Sequence, residues 1–231
     1  MPDTIDSFFR NRPPTAAEPL RGRTMLLVED SRFACEAIRL IALRSGARIR
    51  RADGIRSAER HLRTYSPSIA IVDIGLPDGD GLSLIARLAA AQPRIPAIIA
   101  TSGDDTLAGP SRAAGADAFL AKPVVAVAAF QELVLGCLPK DLRPTGPRSM
   151  SAEVVAPDAM ALRDDLAHAA DLLRTSAAPA RMPYLAAFLS GLAKSSDDAA
   201  LADAADALCR GEGRETALRL VEDRLSAAMT V

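Results

Sequence analysis

The chain has 231 residues, of which 49% are hydrophobic and 25% are charged, enough to bury a substantial core in two modest domains. No apolar run is long enough to span a bilayer and the first residues carry no secretory pattern, so we expect no membrane partner and a cytoplasmic location. Residues 151–231 hold 8 Lys plus Arg against 13 Asp plus Glu, a net charge of −5. Because an acidic surface gains nothing from neutralising phosphates, we expect no DNA partner.

Short apolar runs alternate with stretches of helical period from residue 24 onward. Runs that are apolar at consecutive positions, such as 25–28, 69–72 and 97–100, are typical of strands buried on both faces. Strands that are separated by helical crossovers must pair in parallel. The pattern predicts an α/β domain over residues 23–138, built on a doubly wound parallel sheet and preceded by a tail at residues 1–22.

A second domain is predicted after a linker at residues 139–157, which holds four prolines and one glycine. Within residues 158–231 the apolar side chains recur at helical spacing four times, which predicts a small all-α domain of four helices. Ser196 is the expected start of one helix, and Gly211 with Gly213 marks a break. We expect this domain to bind an unidentified downstream protein.

Polar side chains follow four of the predicted strands. Glu29 and Asp30 follow the first, Asp73 the third, Thr101 the fourth and Lys122 the last. Open parallel sheets bind ligands outside the carboxyl ends of their strands, so we expect these groups to converge. Clustered carboxylates favour a hard divalent cation with oxygen ligands, and Mg²⁺ fits.

The same residue types suit phosphoryl transfer. An ionised Asp73 can act as a nucleophile without a separate base. Lys122 can pair with a phosphoryl oxygen, and the Thr101 hydroxyl can hydrogen-bond the transferred group.

The motifs together resemble the response regulator receiver family of two-component signalling, over about residues 24–138. The resemblance rests on an acidic pair, a D-x-x-x-P-x-x-D-G loop, a Thr and a Lys-Pro in the family's order. These segments are Glu29-Asp30, Asp73-Ile-Gly-Leu-Pro77-Asp-Gly-Asp80-Gly81, Thr101-Ser102 and Phe119-Leu-Ala-Lys122-Pro123.

The resemblance implies a five-stranded, flavodoxin-like sheet and a role for each motif residue. Asp73 would accept a phosphoryl group from a histidine kinase or a histidine phosphotransferase. Asp30, Asp73 and the Gly75 carbonyl would bind Mg²⁺, and Glu29 would act mostly through water. Thr101 and Phe119 would form the switch, and the Lys122–Pro123 bond would be cis. Such a protein catalyses only its own phosphorylation and dephosphorylation. We therefore do not expect this chain to be an enzyme that acts on a separate substrate.

The chain departs from the family pattern in the fourth and fifth helices. Pro110 predicts a short fourth helix. A short helix reduces one of the two surfaces through which the family forms homodimers, so the homodimer stays an open alternative. The fifth helix, at residues 124–138, is apolar around most of its circumference. We expect Phe130, Val134 and Leu138 to dock the second domain.

Gly75 and Gly103 are small at positions where family members often carry larger side chains. We therefore expect water and small phosphodonors to reach Asp73 easily.

Two alternatives stay open from the residues alone. A phosphatase of the haloacid dehalogenase type also uses an Asp nucleophile with Mg²⁺, but it wants an acidic group two residues later, where this chain has Gly75. His168 could be a phosphotransfer residue of the second domain. It is flanked by Asp164 and Asp171, which would repel a phosphoryl group, so we expect a plain surface histidine.

Overall fold

The computed structural model describes residues 13–146, 152–156, 158–175 and 181–227. The strands are β1 (Thr24–Val28), β2 (Arg48–Ala52), β3 (Ile69–Asp73), β4 (Gly75–Leu76), β5 (Gly79–Asp80), β6 (Ala97–Ser102) and β7 (Ala118–Ala121). Five of them form one parallel sheet in the order β2-β1-β3-β6-β7, and β4 pairs with β5 in a small antiparallel hairpin.

Nine α-helices lie within the described ranges. They are α1 (Arg32–Arg44), α2 (Ile55–Leu62), α3 (Gly81–Ala90), α4 (Ala108–Ala113), α5 (Val127–Cys137), α6 (Ala159–Thr175), α7 (Met182–Ser196), α8 (Ala199–Cys209) and α9 (Arg214–Ala227). The predicted fold class, a five-stranded parallel sheet followed by a helical region, is confirmed. In the described part of the chain, no helix is both long and apolar enough to cross a membrane.

The sheet is covered on both faces, because its strands send alternate side chains to opposite sides. In β1, Met25 and Leu27 join one core cluster, whereas Leu26 and Val28 join another. Leu20 is fully buried in the first cluster, and its backbone N–H donates to the Ser45 carbonyl oxygen. The end of the predicted tail is therefore part of the core, while residues 1–12 lie outside the described residues.

The fourth helix is short, as Pro110 predicted: α4 has six residues and begins two residues before the proline. A proline is tolerated there because the first N–H groups of a helix have no intrahelical acceptor.

The docking surface predicted on the fifth helix is wrong. Phe130, Val134 and Leu138 are at most 1% exposed and belong to the core beneath the sheet. The linker lies beside the start of α5, where Val155 N–H donates to the Val125 carbonyl and Val127 N–H to the Glu153 carbonyl. The sheet and the linker thus cover a helix that the sequence shows as unusually apolar.

Helices α6 to α9 share their own core cluster, in which Leu166, Leu189, Leu208 and Val221 are buried. Gly211 and Gly213 lie in the turn between α8 and α9, as predicted. Ser196 does not start a helix. It is the last residue of α7, and its hydroxyl donates back to the Leu192 carbonyl.

Asp198 takes the role that was predicted for Ser196. It caps α8 with its side chain, which accepts the Leu201 N–H. Asp197, which has φ of 55°, makes the reversal between α7 and α8.

Candidate phosphorylation site

Three carboxylates meet at the carboxyl edge of the sheet. Strands β1 and β3 are neighbours in register, with Val28 opposite Val72. Glu29 and Asp30 follow β1, and Asp73 is the last residue of β3, so the three side chains leave the sheet at one place. One oxygen from each carboxylate lies within 4.8 Å of the others. The structure thus brings together the three carboxylates that the sequence predicted as metal ligands.

Lys122 is the cation of this cluster. Its Nζ lies 2.7 Å from Glu29 Oε2 and 3.2 Å from Asp73 Oδ2, and its side chain is only 7% exposed. It follows β7, and the Lys122–Pro123 peptide bond is cis, as the resemblance implied.

Burial and mutual repulsion raise the pKa of two of these carboxylates. Desolvation, followed by the charge of Asp73, raises the pKa of Glu29 above its usual range and that of Asp30 to about 6. Burial alone would lower the pKa of Lys122, but the charges of Asp73 and Glu29 outweigh it and raise that pKa. The single ammonium of Lys122 does not compensate three clustered carboxyl groups, and a hard divalent cation such as Mg²⁺ would supply the missing positive charge to their oxygen donors.

Thr101 lies next to the cluster, and Phe119 lies on the neighbouring strand β7. Thr101 is opposite Asp73 in the register of β3 and β6, and it is fully buried. Its hydroxyl donates to the Leu120 carbonyl oxygen at 2.8 Å. Phe119 is half-buried against the core on the side of α2 and α3. The Thr101 hydroxyl is thus held by the backbone of β7, the strand that carries Phe119.

The loop after Asp73 is held by backbone constraints. A Cβ on Gly81 would lie 2.1 Å from the Asp73 carbonyl oxygen, so only glycine allows α3 to start so close to Asp73. Asp80 caps α3 by accepting the N–H groups of Leu82 and Ser83. These motif residues shape the site without entering the acidic cluster.

The C-terminal helices reach the same edge of the sheet, which the sequence did not reveal. The Tyr184 hydroxyl on α7 donates to Asp30 Oδ2 at 2.5 Å. Burial, followed by the charge of Asp30, raises the pKa of Tyr184, so the phenol keeps its proton. Lys194, also on α7, donates to the Gly103 carbonyl oxygen. No sequence pattern identifies these residues, because their role depends on how two domains meet.

Asp165 on α6 makes a second contact at the first acidic pair. Its carboxylate is 2% exposed and accepts hydrogen bonds from the Ser31 hydroxyl at 2.7 Å, the Arg32 N–H at 2.8 Å and the Phe33 N–H at 3.0 Å. These two amides open α1 and have no acceptor within that helix. Asp165 thus accepts the hydrogen bonds of the first N–H groups of α1, two and three residues after Asp30 in the sequence.

Gly75 and Gly103 do not leave Asp73 open to solvent. A Cβ on Gly75 would lie 3.7 Å from Ala187 Cβ, and one on Gly103 would lie 3.4 Å from Gly191 Cα. With α7 in this position Asp73 is only 6% exposed. The expectation of easy access to Asp73 is therefore wrong, because the absent side chains make room for a helix.

His168 is an exposed residue of α6, as expected. Its ring packs edge-on against Phe188 with centroids 5.6 Å apart. It lines an open cleft of about 690 Å³ between the two parts of the chain, together with Asp30, Arg51 and Asp171.

The family model of the response regulator receiver domain matches residues 25–134. Residues 25–134 are a receiver domain. Phosphorylation on an aspartate and binding of Mg²⁺ are characteristic of this family. The match favours a receiver over the phosphatase alternative.

Curated relatives and solved structures match the same part of the chain. The virulence transcriptional regulatory protein PhoP of Salmonella typhimurium is 35% identical over 102 residues, which are 43% of this chain and 45% of the relative. The transcriptional regulatory protein PhoP of Escherichia coli K12 has the same identity and coverage. The chain thus spans about half the length of the curated relatives it matches.

Two solved receiver domains of histidine kinases also resemble the chain. That from Syntrophus aciditrophicus is 26% identical with a TM-score of 0.46, covering 56% of this chain and 98% of the other. That from Pseudomonas aeruginosa was solved with a magnesium ion in its active site cleft and is 25% identical with a TM-score of 0.45, covering 49% and 95%. Because both TM-scores are below 0.5, the assignment rests on the family match and the strand order.

The exclusion of DNA as a partner is wrong. The curated relatives are named transcriptional regulatory proteins, which contradicts it. The net charge of residues 151–231 also does not describe the surface of the receiver domain. Five exposed arginines lie on or beside β2 and α2: Arg50, Arg51, Arg56, Arg60 and Arg63.

Proposed function

We propose that the chain is a response regulator that accepts a phosphoryl group on Asp73 from a histidine kinase or a histidine phosphotransferase. The observation that supports this most is the convergence of Glu29, Asp30 and Asp73 around Lys122 at the carboxyl edge of the sheet. A cytoplasmic location belongs to the same proposal, since the phosphodonor is a signalling protein of the cell interior.

The proposed site holds Mg²⁺ through Asp30, Asp73 and the Gly75 carbonyl, with Glu29 acting through water. Bound there, the ion would neutralise negative charge on the phosphoryl oxygens. Each of these residues lies within two positions of the end of β1 or β3.

The chain's own residues carry the transfer. An Asp73 carboxylate oxygen attacks the phosphorus, the bond from phosphorus to the donor's imidazole nitrogen breaks, and that nitrogen takes up a proton. Lys122, 3.2 Å from Asp73, pairs with a phosphoryl oxygen. The Thr101 hydroxyl leaves the Leu120 carbonyl oxygen and hydrogen-bonds the phosphoryl group instead. Phe119, which lies on β7 next to Leu120, then changes its position.

The product is an acyl phosphate that water can hydrolyse, returning Asp73 to a carboxylate. The chain therefore modifies only itself and turns over no separate substrate. Its helical C-terminal region would pass the state of Asp73 to a downstream partner.

The first prediction is that acetyl phosphate with Mg²⁺ adds one phosphoryl group to the full-length chain. Intact-mass measurement should show one added group in the wild type and none in Asp73→Asn, because an amide is not a nucleophile for this step. Asp105→Asn, which changes an exposed carboxylate on the same edge, should behave as wild type. The same added mass in Asp73→Asn would show that the acceptor is another residue.

A further inference from the structure

One face of α7 lies across three loops of the receiver domain. Tyr184 bonds Asp30 after β1, Ala187 lies against Gly75 after β3, and Lys194 bonds the Gly103 carbonyl after β6. Gly191 completes the row opposite Gly103. The spacings of three and four residues place these side chains on one helical face. A single helix thus spans three of the loops that would surround a phosphoryl group, those after β1, β3 and β6.

A second group of contacts holds α6 and α7 in this place. The buried Asp165 carboxylate accepts three hydrogen bonds from Ser31, Arg32 and Phe33 at the start of α1. The positive end of the helix dipole favours a carboxylate at this position. The Phe33 ring, 7% exposed, packs into the core of the C-terminal helices although it belongs to α1. The interface therefore has an apolar centre directly beside the acidic pair.

This interface and a loaded site place conflicting demands on Asp30. Its Oδ2 accepts a hydrogen bond from the Tyr184 hydroxyl, which directs the carboxylate toward α7 and engages one of its two oxygens, whereas a bound cation would compete for the same oxygens. Asp73 is 6% exposed, and α7 packs against Gly75 and Gly103 in the loops beside it, so the helix occupies the surface on which a phosphodonor protein would have to dock. If α7 moved away, water could hydrogen-bond the amides and carboxylates that it exposes. Most of the polar contacts of the interface would therefore be replaced by contacts with water.

We propose that α7 is a lid on the phosphorylation site and that Tyr184 is a positioning residue that holds Asp30 away from Mg²⁺ when the lid is closed. The inference rests on the proposed function, since it concerns access to the same carboxylates. In the open form, α7 has moved off the three loops. Mg²⁺ and the phosphoryl group bind this form more tightly than the closed one, so they shift the equilibrium toward it. The apparent affinity for Mg²⁺ is then lower than the intrinsic one by the fraction of open molecules.

Tyr184→Phe in the full-length chain tests the lid, because it removes only the hydroxyl and keeps the ring beside Phe188. Loss of a hydrogen bond to a charged group should raise the apparent Mg²⁺ affinity by about tenfold. Calorimetric titration with Mg²⁺ alone measures this. The rate of phosphorylation by acetyl phosphate should rise in the same direction.

Tyr65→Phe is the matched control, because Tyr65 is the only other tyrosine of the sequence and its hydroxyl has no hydrogen-bond partner among the residues that the structure describes. It should match the wild type in both measurements. Asp165→Asn is a second, independent opening variant, and it should also raise the Mg²⁺ affinity although Asp165 lies outside the acidic cluster. Its effect would show that docking, and not only the Tyr184 hydroxyl, limits access.

Mg²⁺ affinities and phosphorylation rates that are equal in the wild type, Tyr184→Phe and Asp165→Asn would overturn the lid. If Asp73 is still modified in that case, the proposed function stands and only the lid fails. If neither the wild type nor the opening variants bind Mg²⁺ or take up a phosphoryl group, the proposed function fails, and the inference with it.

Discussion

The two sides of the site around Asp73 are encoded differently. On the receiver side, Asp30, Asp73 and Lys122 each lie at or next to the end of a strand, so each is marked by its sequence neighbours. On the other side, Tyr184 bonds a residue 154 positions away and Asp165 one that is 134 positions away. The chemistry is thus local in the sequence, whereas access to it depends on a long-range contact.

Lys122→Met should have the largest effect on stability, because it leaves the buried Glu29 and Asp73 and the half-buried Asp30 without their cation. We expect the free energy of unfolding to fall by about 3–5 kcal/mol without Mg²⁺. Mg²⁺ should restore more stability in this variant than in the wild type, since the ion replaces the lost charge. Denaturant unfolding with and without Mg²⁺ measures both effects. Lys140→Met, which changes an exposed lysine, is the control, and equal losses in the two variants would contradict the account.

Phe33→Ala should separate the two regions, because this receiver side chain is buried among the C-terminal helices. Truncating a buried phenylalanine costs about 3 kcal/mol, here mostly from the interface. Limited proteolysis should cut within α6 to α9 faster, while the receiver domain stays resistant. Phe130→Ala, in the receiver core, should instead weaken the receiver domain itself. Identical cleavage patterns in the two variants would argue against an interface anchored by Phe33.

Asp80→Ala should have the smallest effect. Asp80 caps α3 within the receiver domain, as Asp165 caps α1 from outside it. Loss of the cap should lower the free energy of unfolding by about 1 kcal/mol and leave Mg²⁺ affinity unchanged. Thermal unfolding and Mg²⁺ titration check this. If Asp80→Ala raised the Mg²⁺ affinity as much as Asp165→Asn does, the loss of any helix cap would be enough to change metal binding. Docking of the C-terminal helices would then not be the cause.

Much of the fold and the acidic side of the site could be predicted from the sequence. Apolar runs such as 69–72 identify strands buried on both faces, and parallel pairing brings their ends together. The convergence of Glu29, Asp30 and Asp73 with Lys122 follows from that topology. The short α4 follows from Pro110, whose effect is local.

The errors arose where distant segments meet. The apolar circumference of α5 predicts a docking surface, but the sheet and the linker around Val155 cover it. Gly75 and Gly103 predict open access to Asp73, because the sequence does not show that α7 fills the space they leave. Ser196 and Asp198 are both good capping residues, and packing of α7 decides between them. Each outcome depends on tertiary contacts that a local pattern does not contain.

Amide hydrogen exchange at Arg32 and Phe33 in the full-length chain tests most directly whether access to Asp73 is controlled by the C-terminal helices. Both N–H groups donate to Asp165 and have no acceptor within α1, so their protection reports this contact. The Leu82 N–H, which donates to Asp80 within the receiver domain, is the internal reference. We predict faster exchange at Arg32 and Phe33, with Leu82 unchanged, after acetyl phosphate and Mg²⁺ have phosphorylated Asp73. Unchanged protection of Arg32 and Phe33 in fully phosphorylated protein would contradict the account.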